Sequence, residues 1–458
     1  MKKLTNILAT GLVVVTTGCA SYLEDLSVDP NRPGSVSLES HLTGTLVNNS
    51  VFHEGHMARI GAVWAQYFTA SDRGAIGLDA YIISPEQYDR SWLNVYVLGL
   101  NQHRLLQAQA MEEGNDDIYH ISRIVEGHMM GTVASLWGDI PYAQAADPDN
   151  HETPEFDDQL AVYATVDALL ADAAASIGTG DGGLAADIYF EGNRDAWVAV
   201  ANTLRARFAL HQGDYAGALA ALADGGISTP DHSLFTPHGN VLRGNSNQFY
   251  VFVEIERSGY LTANNANATA ILLGDPTDAT DDDPRLHMFY QSDDWTSSFE
   301  WEFNTSPTGF FAMDQDYPLV TYEEALLIEA EANARLNNQG AAQAALQAFY
   351  NHIDDQGLYG IDLDGGAAVD SYPNDVTGLT GTALIDAIMT ERYLSLVGQM
   401  EGWMDVRRSA ITGDGIQLTP KGNAATIPMR YLYPQIELDA NDNVPEGRGL
   451  FYRDAIFQ

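Results

Sequence analysis

The sequence predicts an all-α fold of stacked helix pairs, interrupted by one long irregular part. Three observations lead there. Apolar residues recur at three- and four-residue steps through most of the chain. Successive periodic stretches are joined by short turns, which forces neighbouring helices to run antiparallel. Between Gly225 and Pro318 this texture gives way to Asn, Asp, Gly, Ser, Thr and Pro with scattered aromatics.

At the N-terminus, Lys2 and Lys3 precede a short apolar run from Leu4 to Thr17. That is the layout of a signal peptide, and the run falls short of the roughly 20 residues a membrane span needs. Residues 1–18 therefore read as a lipoprotein signal peptide. Thr16-Thr17-Gly18-Cys19 looks like a lipobox with Thr16 where leucine is usual, so Cys19 is the expected lipid-attachment residue. Ordinary signal-peptidase cleavage, giving a freely secreted protein, is the alternative. Cys19 is the only cysteine, which excludes a disulfide framework and a cysteine-based zinc site. Residues 19–36 read as an acidic tether bounded by Pro30 and Pro33, and 37–458 as the folded body. The net charge of −41 becomes −43 once Lys2 and Lys3 are removed. Such a surface repels nucleic acid and anionic headgroups, and suits salty surroundings that screen self-repulsion.

Helical repeats are expected over about 37–223 and 321–409, flanking an irregular segment at about 225–320. Leu38 to Thr69 holds one or two helices, with Ile60, Val63, Trp64, Tyr67 and Phe68 on one stripe. Thr69 to Ser84 is a loop. Glu86 to Glu113 is a long helix ended by Gly114-Asn115. The next helix, from Asp117, carries Ile118, Ile121, Val125, Met129, Thr132 and Leu136 on one face, with Gly127 and Gly131 on an adjacent stripe. Glycine inside a helix costs about 1 kcal/mol relative to alanine, so these two imply close approach of another helix. Gly138-Asp139-Ile140-Pro141-Tyr142 is the exit turn. Asp157–Ile177, Asn193–Leu210 and Ala216–Ala223 follow, then Thr321–Leu336 paired with Ala341–Ile353, then Leu384–Val397 and a short helix at Trp403–Ser409. Within the irregular segment, Gln248–Glu256 reads as a strand.

Several constellations bear on chemistry. His53-Glu54-Gly55-His56 lacks the spacing of a zincin helix, and no nucleophile elbow or P-loop occurs. With 63 acidic residues, no carboxylate pair can be singled out for glycoside hydrolysis. Asp278, Asp281, Asp282 and Asp283 are weak candidates for calcium; a solvated acidic loop is the ordinary reading. Tyr290, Trp295, Phe299 and Trp301 lie among acids in the irregular segment. Flat rings beside carboxylates and amides suit sugar rings, although the same residues could plug a small satellite core. Trp295 and Trp301, helped by Tyr81, are expected to form an exposed platform. Trp92 is a further candidate. No catalytic residue, cofactor or resident metal is expected.

Gly213-Asp214-Tyr215-x-x-Ala218 and Tyr322-x-x-Ala325 through Ala330-Glu331-Ala332 resemble pieces of tetratricopeptide repeats. A wider resemblance covers the whole mature chain. Tyr22-Leu23-Glu24-Asp25-Leu26 with Asp29-Pro30-Asn31, Trp137-Gly138-Asp139-Ile140-Pro141-Tyr142, Asp187-Ile188-Tyr189 with Trp197 to Arg207, and Asp283-Pro284-Arg285-Leu286 occur in order. Thr321 to Ala332, Glu391-Arg392 with Trp403-x-Asp405-x-Arg407-Arg408, and Ile427-Pro428 with Tyr433-Pro434 complete the set. Together they resemble the SusD/RagB family of Bacteroidetes outer-membrane lipoproteins. The resemblance implies a tetratricopeptide-like helix-pair scaffold with an irregular, loop-rich ligand-binding part. It implies a surface-exposed lipoprotein of the cell outer membrane that captures oligosaccharides, sometimes peptides. Its partner would be a TonB-dependent SusC-like transporter, and it would do no chemistry. Arg407 and Arg408 are expected to be structural, pairing with buried acids. Rival readings are a tetratricopeptide-type assembly scaffold and a helical glycoside hydrolase.

Overall fold

The computed structural model describes residues 36–274, 282–292, 300–363, 372 and 375–458. Helix α1 (Leu38–Glu54) begins at Ser37, whose hydroxyl accepts from the Ser40 amide at 3.2 Å, and Gly55 separates it from α2 (His56–Trp64). A two-residue strand β1 (Thr69–Ala70) and α3 (Arg73–Asp79) occupy the expected loop. The long helix predicted from Glu86 is present with a defect. A 3₁₀ turn at Pro85–Tyr88 leads into α4 (Asp89–Val95), then a π turn at Tyr96–Leu100, then α5 (Asn101–Glu113). Gly99 lies in the π turn against the Met129 side chain, where a Cβ would collide.

α6 (Asp116–Trp137) is capped by Asn115, whose side chain accepts from the Ile118 amide at 3.0 Å. It is buried along its length, and Leu136 is fully enclosed. α5 packs on one side and α7 (Gln159–Ser176) on the other, with α8 (Arg194–His211) beyond. The glycine stripe has the predicted role. A Cβ on Gly127 would stand 2.7 Å from Leu170 of α7, and one on Gly131 would overlap the Phe208 ring of α8. α9 (Tyr215–Ala223) pairs with α8.

The chain then leaves the helical stack. β2 (Leu234–Thr236), α10 (Gln248–Tyr250) with a π turn at Val251–Glu256, β3 (Leu261–Thr262), α11 (Asn267–Leu273), α12 (Arg285–Phe289), β4 (Tyr290–Ser292), β5 (Trp301–Phe303) and β6 (Tyr317–Val320) follow. Among the described residues the sheets are antiparallel pairs: β1 with β3, β2 with β6 and β4 with β5. The strand predicted at Gln248–Glu256 is therefore helical. The Asn247 side chain accepts from the Phe249 and Tyr250 amides, and this cap starts a helical turn that the β-forming Val251, Val253 and Ile255 then continue.

The stack resumes with α13 (Tyr322–Arg335), which packs against α9 across the departure, then α14 (Gln339–Gln356), α15 (Thr382–Ser395), α16 (Met400–Thr412) and α17 (Gln435–Ala440). α16 returns to α2, where Trp403 stacks on Tyr431 at 4.6 Å and Trp64 meets both rings edge-on. A buried ion network ties α8, α13, α15 and α16 together. Arg207 Nε donates to Glu324 at 2.6 Å, His211 faces Glu401 at 2.9 Å, Arg408 bridges Glu331 and Asp405 at 2.7 Å each, and Arg392 donates to Asp405 at 2.7 Å. Arg408 is thus paired as expected. Arg407 is not: it donates to the Met429 and Ser135 carbonyls and lies 3.8 Å over the Trp403 ring.

Candidate functional site

The aromatic platform expected from the sequence is not what the described residues form. Trp301 is 4% exposed. It sits on β5, where side chains alternate between faces, so Trp301 and Phe303 turn inward while Glu302 turns out. The acids beside it in sequence are on the opposite face, which is why they did not signal exposure. Tyr290 is fully buried and donates its hydroxyl to the Tyr67 carbonyl at 3.0 Å. Tyr81, at φ +61°, is buried edge-on against Trp64. Trp92 borders a groove of about 430 Å³ beside α4, yet it is 3% exposed, its faces meet Tyr96 and Trp137, and its N–H donates to Glu437 at 3.0 Å. Trp295, Phe299, Cys19, Asp278 and Asp281 lie outside the described residues. Asp283 is taken by Arg285 at 2.7 Å and by the Tyr372 hydroxyl at 3.1 Å, so it serves an ion pair and not a cation site. Among the described residues no group of three His, Cys, Asp or Glu side chains is placed to hold a metal. Nor do His53 and Glu54 form a metal pair. His53 stacks on His128 at 3.8 Å, while Glu54 accepts from His238 at 2.7 Å and from the Gln248 amide.

The arrangement best suited to hold a ligand lies elsewhere. A cleft of about 470 Å³ opens between α2, the α3–α4 connection and the Phe252–Leu261 stretch. Its apolar wall is Ile60, Ala75, Leu78, Ile82, Ile83, Phe252 and Leu261. Ile82 at the rim is 75% exposed, far more than a packing role requires. The strand pair β1–β3 holds the two sides together, since the Ser71 amide also bonds the Tyr260 carbonyl at 2.9 Å.

The polar groups in and beside this cleft are unusual for so acidic a chain: His56, Arg59 and Arg257 line it, and Arg73 stands next to it. Arg59 lies 4.4 Å over the Phe252 ring. Arg73 and Arg257 both approach the Tyr260 ring, at 5.6 and 5.7 Å, and Arg73 also donates to the Tyr260 hydroxyl at 3.2 Å. Burial lowers the Arg59 pKa to about 10, against the pull of Glu54 and Glu256, so it stays cationic at neutral pH. Burial and then Arg59 lower His56 to about 4, which leaves a neutral imidazole with one donor and one acceptor. Among the described residues no carboxylate lines the cleft. A second opening, of about 520 Å³ between α1 and the 236–248 loop, is walled by Val47, Val51, Ile188 and Pro237 and offers no phenyl, phenol or indole ring. Sequence reasoning missed the first cleft because its parts are far apart in the chain. The available signal was Arg73, Arg257 and Ile82-Ile83 in stretches that do not read as helix, with Arg59 on the helix before them.

Comparison with known proteins agrees with this architecture. A SusD/RagB family protein from Bacteroides thetaiotaomicron has a TM-score of 0.71 at 20% identity, covering 93% of this chain and 98% of that one. A chitin-binding SusD homologue from Flavobacterium johnsoniae has a TM-score of 0.69 at 18% identity, covering 91% and 99%. Among curated protein sequences none matches the chain. The model of the SusD-like family described as starch-binding and associating with the outer membrane matches residues 30–434. With its helix-pair stack, its irregular excursion and that match over most of its length, the chain belongs to the SusD-like family.

Proposed function

We propose that this protein is an outer-membrane, surface-exposed lipoprotein, anchored through Cys19, that captures an oligosaccharide and delivers it to a TonB-dependent SusC-like transporter. The cleft between α2 and Phe252–Leu261 is the proposed capture site. One observation carries the reading: an apolar wall with a half-open Tyr260 ring, fixed polar side chains at the rim and, among the described residues, no lining carboxylate. Sugar rings present C–H faces to such an apolar wall and hydroxyl edges to the donors around it, among them the guanidiniums that flank the Tyr260 ring. Most glycosidic cleavage uses two facing carboxyl groups, and the described lining supplies none, which supports holding a sugar over cutting it. The chitin-binding relative is consistent with a glycan ligand.

The experiment is calorimetry of the mature protein against a panel of oligosaccharides, repeated with Tyr260→Ala. The substitution is expected to weaken binding by about 1–3 kcal/mol, as a contact residue should, and to leave the melting temperature unchanged. Unchanged affinity would remove the cleft as the capture site. Slow hydrolysis of the bound sugar would favour the glycosidase reading instead.

A further inference from the structure

The cleft described above carries more positive charge than an acidic surface protein needs for its own structure. The chain holds 22 lysines and arginines against 63 acids. In such a chain guanidinium groups are normally drawn into ion pairs, as at Arg123, Arg194, Arg205 and Arg408. Arg59 and Arg257 form none among the described residues, and the buried Nε of Arg59 has no hydrogen-bond partner at all. Arg73 reaches only its sequence neighbour Asp72, at 3.3 Å, with both side chains largely exposed.

The nearby carboxylates Glu54 and Glu256 favour the charged form of Arg59 but make no ion pair with it. Glu54 accepts from His238 and from the Gln248 amide. Glu256 faces Arg243 at 3.8 Å. Ring contacts help to place the three guanidiniums, with Phe252 under Arg59 and Tyr260 beside Arg73 and Arg257. Contact with a ring face leaves in-plane N–H groups available, apart from the Arg73 Nη1 given to the Tyr260 hydroxyl, the Arg73 Nε facing Asp72 and the Arg257 Nη1 given to the Glu256 carbonyl. Those groups form the fork that matches a carboxylate or sulfate with two parallel hydrogen bonds. Two cations beside one ring also repel each other, and an anion seated between them relieves that repulsion. The low-dielectric wall of Ile60, Leu78 and Leu261 focuses the field at the cleft, while the acidic remainder of the surface repels anions that do not reach it.

We infer that the cleft takes an anionic oligosaccharide, one whose sugar units carry carboxylate or sulfate groups. This rests on the glycan-binding reading and narrows its substrate class. Carboxylate and sulfate offer the same fork to arginine, so the test must separate them.

The mature protein and its Arg257→Gln and Arg59→Gln variants are titrated calorimetrically with three probes of equal length: a polyuronate fragment, a sulfated galactan fragment and a neutral malto-oligosaccharide. Arg257 is exposed, so its replacement should leave folding intact, and a thermal melt checks each variant. One charged probe is expected to bind at least about tenfold more tightly than the neutral one. Its affinity should fall with rising salt. Arg257→Gln should weaken it about tenfold and flatten the salt dependence. Which charged probe wins identifies carboxylate or sulfate. A neutral probe that binds as well as the charged ones overturns the inference and leaves glycan binding standing. So does a charged probe whose affinity neither arginine variant changes, because the anion would then sit elsewhere. If no probe of any class binds, both this inference and the reading beneath it fail.

Discussion

Trp301 shows how a residue's sequence neighbours can mislead about its surroundings. Its amide is held by Asn264, and its carbonyl accepts from the Ala263 amide and the Thr262 hydroxyl, both at 2.8 Å. With its ring enclosed, Trp301→Ala should behave as a core truncation, costing about 3–5 kcal/mol in denaturant unfolding. Its affinity for sugar should change little; a large loss of binding with unchanged stability would restore the platform expectation. Cys19 is judged by a different measurement. Cys19→Ala should move the protein from the membrane fraction to the soluble fraction, and equal membrane retention would refute the anchor. Tyr260 and the arginines around it make the complementary case. Nothing in Arg257-Ser258-Gly259-Tyr260 marks a site until the fold brings Arg59 and Arg73 alongside it.

Among the elements, α6 was the most legible. Its apolar period, its acidic first turn and its glycine stripe each had one physical meaning, and Leu170 and Phe208 occupy the space that the glycines leave. Leu136→Ala on this helix should cost about 2–5 kcal/mol, because the site is enclosed on all sides. A loss below about 1 kcal/mol would mean that the surroundings collapse into the space left by the missing atoms. The excursion between α9 and α13 was legible only as the absence of a helical repeat. Two of its three described strand pairs join distant parts of the chain, as Thr69 does with Thr262 and Leu234 with Val320, and no local pattern encodes such a partner. The π turn at Val251–Glu256 failed for a local reason. A single cap at Asn247 outweighed the β preference of the residues after it. The charged residues of α8, α13, α15 and α16 stood out in the sequence through the SusD/RagB resemblance, but only the fold shows that they meet one another. Buried pairs of this kind set register more than they add stability, since desolvation offsets much of their attraction.

At the scale of the whole molecule, acid should destabilise the fold in two overlapping steps. Burial lowers His53 from 6.5 to about 4, and burial with the adjacent His53 lowers His128 well below its usual value. The unfolded chain therefore binds these protons first, so the stability these residues contribute is complete above pH 6.5 and is lost as pH falls towards about 4. Burial alone would raise Glu331 and Glu401, but the guanidiniums of Arg408 and Arg392 around the first, and Arg207 with His211 beside the second, outweigh it and hold both to about 2. Their contribution is present above pH 4.5 and disappears as pH falls towards about 2. Protonating surface acids relieves repulsion in a chain of net charge −41, so the loss should show most clearly at high salt. Urea midpoints that stay level from neutral pH down to about 4 would contradict the histidine step. The point where the chain leaves the stack has a consequence of another kind. Helices α9 and α13 touch although 98 residues separate Ala223 from Tyr322, and β2 and β6 clip the two ends of that excursion together at Leu234 and Val320. The excursion is nevertheless rooted in the frame, since its Phe249, Phe303 and Phe311 rings pack on Phe68 and Arg285 donates to Glu391 at 2.8 Å. The frame thus supplies His56, Arg59 and Ile82 and the excursion Phe252, Arg257 and Tyr260, so a change in either part reshapes one wall of the cleft and leaves the other in place.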